Sequence, residues 1–91
     1  MRLRLGSSWQ CWPLWDDETV ENLDPRAVSL PAELMVRILQ WDDAFQEIFD
    51  DDDPLHSGFP SGEAEAEWRR EGRVIADALL AAGFELAPHQ F

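Results

Sequence analysis

Side chains able to do chemistry are few in this 91-residue chain, and their spacing matches none of the common reaction motifs. Cys11 is the single cysteine. A thiol becomes a nucleophile only where a base or positive charge depresses its pKa, and the histidines that could do so, His56 and His89, stand far along the sequence. There is no Gly-rich phosphate loop, no GxSxG, no HExxH and no calcium-loop spacing. The stretch "DDDDPLH" offers Asp50, Asp51, Asp52, Asp53 and His56 as oxygen and nitrogen ligands. Calcium and magnesium sites, however, space their ligands so that the backbone can wrap the ion, whereas adjacent aspartates diverge. The expectation is a non-enzymatic protein with no catalytic residue, metal or cofactor, in which Cys11 is buried and inert. A small enzyme or metal-dependent regulator using Cys11 and the clustered carboxylates is the competing reading.

The acids say more as electrostatics than as ligands. Nineteen Asp and Glu face seven arginines and no lysine, a net charge of -12. Such a surface repels nucleic-acid phosphates and anionic membranes and favours encounter with basic proteins, although negative charge also serves solubility alone. Asp50 to Asp53 fall at the C-terminal end of the first expected helix, with Asp42, Asp43 and Glu47 in the same half. The helix dipole is negative there, so each exposed acid is unfavourable by a few tenths to about 1 kcal/mol. A local rule broken without visible compensation marks a candidate functional site; the plain alternative is a solvated turn after the helix.

Aromatic residues form the second cluster. In "SSWQCWPLWDDE", Trp9, Trp12 and Trp15 recur every third residue and acids follow at once. That spacing around Pro13 suits an extended polyproline-type or turn segment with its side chains on one side. Trp41 and Trp68 already supply large core side chains, so Trp9 and Trp12 are expected to cap the core. Trp15, beside Asp16, Asp17 and Glu18, is expected to stay partly exposed, and exposed Trp with a charged rim is the composition of a protein-binding hot spot.

The elements that must position these groups follow from periodicity. "RLRL" at Arg2 to Leu5 alternates as a half-buried strand does, and Pro13 argues against a central strand in the tryptophan segment. Asp16 to Ser29 reads as a loop with one helical turn. "SLPAELMVRILQWDDAFQEIFDD" places Leu34, Ile38, Trp41, Phe45, Ile48 and Phe49 on one helical face behind Pro31 in the first turn. After a Pro, Gly and Ser-rich loop, Ser61 is an N-cap for a helix with Ala64, Trp68, Gly72, Ile75 and Leu79 along one face, ended by Gly83 at C′. "FELAPHQF" reads as a last short strand. The fold class expected is α+β, a single domain over residues 1–91 in β-α-α-β order, with a helical hairpin packed on a small antiparallel sheet and the first and last strands paired antiparallel. Two strands alone make a marginal sheet, so either the tryptophan segment extends it or an open edge makes a homodimer. The opening "MRLRLG" is too short and charged for a signal h-region, no apolar run approaches the ~18 residues of a membrane span, and a lone cysteine suits a reducing compartment, so a cytoplasmic protein is expected.

The segments "CWPLWD", "SLPAELMVRILQWDDAF" and "SGFPSGEAEAEWRREGR" together resemble a group of small, acidic actinobacterial proteins of no assigned activity, over Cys11 to Arg73. The resemblance implies a bacterial cytoplasmic setting and a stand-alone domain, and it carries no site residue.

These readings converge on an acidic intracellular binding protein that docks and neutralises or regulates a basic protein partner, as immunity proteins, antitoxins and inhibitors do. The residues expected to make that contact are Trp15, Asp16, Asp17, Glu18, Asp43, Glu47, Asp50, Asp51, Asp52 and Asp53. A nucleic-acid mimic, with carboxylates in place of phosphates against a nuclease or CRISPR complex, is the alternative within the same class; direct nucleic-acid or membrane binding is not expected.

Overall fold

A computed structural model describes residues 2–48 and 58–88. The order of elements is β1 (Arg2–Leu5), β2 (Leu14–Asp16), β3 (Asn22–Leu23), a 3-10 turn at Pro25–Ala27, α1 (Ala32–Gln46), α2 (Gly62–Ala81) and β4 (Glu85–Leu86). The class is α+β: two helices on a four-stranded mixed sheet of order β3-β2-β1-β4. β1 alternates as its sequence requires, with Leu3 and Leu5 buried and Arg2 and Arg4 in solvent. Its antiparallel register with β2 sets Leu5 opposite Leu14, and β2 sets Leu14 opposite Leu23. A leucine row thus crosses three strands beneath the helices, where it meets Leu34, Ile38 and Trp41 of α1 and Ile75, Ala76 and Leu79 of α2.

Two expectations about the sheet are corrected. Pro13 does not keep the tryptophan segment out of the centre, because β2 begins at the residue after it and lies between β1 and β3. Pro13 lacks only the N–H; its carbonyl accepts from Gly6 N at 2.9 Å, so a proline at the lip of a strand costs no ladder bond. The first and last strands pair parallel, not antiparallel, with Arg2 opposite Glu85 and Leu3 opposite Leu86. The β1-β2-β3 meander leaves the sheet at the far edge, and both helices then form a crossover to β4, the kind of connection that parallel neighbours require.

Helix boundaries follow local chemistry. Ser61 Oγ accepts the Ala64 N–H at 3.1 Å as the N-cap of α2, and Glu63 and Glu65 load its positive end. At the other end Gly83, at φ 96°, takes the left-handed conformation, and Phe84 N donates to Leu79 O at 3.1 Å. Pro31 is the residue that precedes α1, where its fixed φ and absent N–H do no harm. Gly72 is buried on the inner face of α2. The helices are locked by Trp41 and Trp68, whose rings stack with centroids 4.4 Å apart while each indole N–H donates to the other residue's backbone carbonyl, at 2.8 and 3.0 Å. Across the outside of the same pair Arg37 grips Glu71 through Nε and Nη2.

Candidate functional site: a polar cleft beside Trp12

The three N-terminal tryptophans do not share one side. A turn intervenes, in which Cys11 N donates to Ser8 O at 3.2 Å and Gln10 takes a φ of 61°, so the three-residue spacing loses its register between Trp9 and Trp12. Trp9 is half-buried, stacked on Phe45 of α1 at 4.2 Å between centroids. Trp12, expected in the core, is instead exposed, at 37%, and it alone among the described tryptophans is so. Trp15 is half-buried on β2, with its indole N–H on Gly6 O at 3.0 Å and the Arg4 guanidinium over its ring at 5.2 Å, as the Arg4 to Trp15 pairing of β1 with β2 dictates.

Trp12 is held by its backbone, and its side chain stays partly exposed. Asn22 on β3 accepts the Trp12 N–H at 2.9 Å and returns its amide to Trp12 O at 2.8 Å and to Leu14 O at 3.1 Å. The loop before it is pinned to α1 by Gln46, which accepts the Gln10 N–H at 2.9 Å and donates to Ser8 O at 2.9 Å. Between loop and helix lies an open polar cleft of about 410 Å³, lined by Gln10, Cys11, Trp12, Asn22, Asp42, Asp43 and Gln46. Arg26, paired with Asp24 at 3.0 Å, sits over the Trp12 ring at 5.2 Å and does not line the cleft.

Two neighbouring carboxylates of α1 give the cleft its charge. Asp43 is exposed and has no ion-pair partner among the described residues. Asp42 is only 6% exposed; its Oδ1 accepts from Ser7 Oγ at 3.0 Å and from Gln46 Nε2 at 3.3 Å. Burial pushes the Asp42 carboxyl above its ordinary range, the two hydrogen bonds oppose that, and the Asp43 charge adds to it. Every donor to Asp42 is neutral, and no cation among the described residues offsets the desolvation.

The remaining expected contact residues fall elsewhere. Asp16 caps its own turn, its Oδ1 accepting from Glu18 N at 2.9 Å and Thr19 N at 3.4 Å, while Asp17 pairs with Arg2 at 3.4 Å. Glu18 is exposed in that turn. Trp12 precedes β2 and the Asp16 to Glu18 acids stand at its other end, Asp16 being four residues or roughly 13 Å from Trp12 along an extended chain. Glu47 is exposed one helical turn beyond Asp43, at the end of α1. Asp50 to Asp53, His56 and His89 lie outside the described residues. Gln10, Asn22 and Gln46, which build the cleft, were not singled out by sequence, since an amide side chain carries no signal of the distant backbone it will clamp. Cys11 is half-buried on the cleft wall.

A second concavity, about 520 Å³ and mostly apolar, lies between the helices against Trp41, Phe59, Pro60 and Trp68. Among the described residues there is no group of His, Cys, Asp and Glu that could hold a metal ion, and no helix is long and apolar enough to cross a membrane. Comparison with curated proteins finds no match. A family model does match, over residues 1–88, which is nearly the whole chain and includes every strand, both helices and the Trp12 cleft, and the chain therefore belongs to the Serratia CdiI immunity protein-like family.

Proposed function

We propose that this chain is a cytoplasmic immunity protein that binds a basic protein toxin and neutralises it by occlusion, without catalysis of its own. Family membership supports an immunity-protein type of function. The observation that carries the finer reading is Trp12, an exposed aromatic fixed by backbone clamps at the edge of an acidic cleft, in a chain of net charge -12. An aromatic anchor with a charged rim supplies slow dissociation, and the surrounding acids supply fast, steered association with a cationic surface. Asp43 and Glu47 extend the rim along α1, and the Asp16 to Glu18 turn adds charge at the other end of β2.

Growth protection tests the reading. If a toxin domain is encoded beside this chain, cells that express it are expected to grow when the chain is co-expressed and to die without it, and the two purified proteins are expected to form a stable complex. A chain that neither protects nor binds the toxin contradicts the proposal.

A further inference from the structure

Resting on that reading of the chain as a partner-binding protein, we infer that the cleft beside Trp12 is a receptor for one arginine side chain of the partner, its guanidinium seated between the Trp12 ring and the carboxylates of Asp42 and Asp43. The cleft is polar, open to solvent and about 410 Å³, ample for a single guanidinium with its methylene stem. Two of its amide oxygens are already engaged: Asn22 Oδ1 takes the Trp12 N–H, and Gln46 Oε1 takes the Gln10 N–H. The charged acceptors left for a ligand are carboxylate oxygens.

Asp42 is the telling group. It is more than nine-tenths buried, it lines the cleft, and both of its donors converge on Oδ1; among the described residues Oδ2 accepts nothing. No fully buried side-chain oxygen among the described residues lacks a partner, so Oδ2 is the oxygen that stays open to the cleft and free to take a cation. Asp43 follows it on the helix, exposed and unpaired among the described residues, so a cation drawn in by Asp43 meets Asp42 behind it. Arginine fits better than lysine. The planar fork can bond a carboxylate through two N–H groups and stack on an indole face, neither of which an ammonium point charge does as well. The chain already shows the second contact, since its own Arg26 and Arg4 each lie 5.2 Å from a tryptophan ring.

The test is titration of the intact chain with acetyl-Gly-Arg-Gly-amide and acetyl-Gly-Lys-Gly-amide, followed by amide and indole NMR shifts. The arginine peptide is expected to saturate, shifting the Trp12 indole and the Asp43 and Gln46 amides, while the lysine peptide binds about tenfold more weakly. Asp43→Asn and Trp12→Ala, whose shifts away from the cleft report an intact fold, are each expected to weaken arginine binding about tenfold or more. Equal response to both peptides, shifts as large in the Asp16 to Glu18 turn, or affinity unchanged in both variants would overturn the inference. A wild-type chain that protects cells yet takes no arginine peptide sinks the arginine receptor alone. One that takes the peptide yet protects no cell sinks the immunity reading.

Discussion

Asp42 and Trp12 carry the account at the scale of single residues, and for opposite reasons. Asp42 is buried, and the folded chain therefore holds its proton more tightly than the unfolded chain does. For a group whose pKa rises on folding, the contribution to stability is most favourable at low pH and is lost as pH rises through the raised pKa. Asp42→Asn keeps an Oδ1 for Ser7 and Gln46 and removes the charge, so the variant is expected to match or exceed the parent in stability at neutral pH. That difference is expected to shrink as pH falls from about 7 to about 4, measured by denaturant unfolding of the two proteins side by side. A variant that is less stable at neutral pH would show that the carboxylate is paired. Trp12 lies outside the core because of the Gln10 turn, and that turn depends on Gln46, a partner distant in sequence that three-residue spacing does not reveal.

Legibility differs between elements according to whether their causes are local. Both helices were readable, since Leu34, Ile38 and Trp41 in one and Trp68, Ile75 and Leu79 in the other follow the helical period, and Ser61 and Gly83 mark the ends of α2 by short-range chemistry. Ser61→Ala is accordingly expected to cost about 1 kcal/mol, read from the urea midpoint. β2 and β3 were not readable, because strands of three and two residues are too short to show a period and exist only through their neighbours. The parallel pairing of β4 with β1 is likewise a property of the crossover rather than of either strand. The β2 to β3 turn carries one strained residue: Val20 is β-branched, 65% exposed and at φ 61°. Val20→Asn, which tolerates that conformation, is expected to stabilise the fold by a few tenths to about 1 kcal/mol in the same assay, and a loss would mean that the valine makes a contact that offsets its strain.

Over the whole molecule, charge organises how a partner would be met. With -12 overall and acids at both ends of β2, association with a cationic toxin is expected to slow as salt rises while dissociation changes little. Replacing Asp50, Asp51, Asp52 and Asp53 with Asn is expected to leave folding intact, weaken binding and flatten that salt dependence, measured by surface kinetics at low and moderate salt. Unchanged binding in both conditions would remove this run from the interface. The acidic bias of the candidate site was legible in composition; which aromatic stands beside the acids was not, because that depends on a turn and two amide clamps. Calorimetric titration of the toxin domain against which the chain protects cells, with the wild-type chain and with Trp12→Ala, tests the central claim most directly. The wild type is expected to bind tightly and the variant about 2 kcal/mol more weakly, roughly 30-fold, at unchanged fold. Equal affinity for the two proteins, or no binding by the wild type, would contradict it.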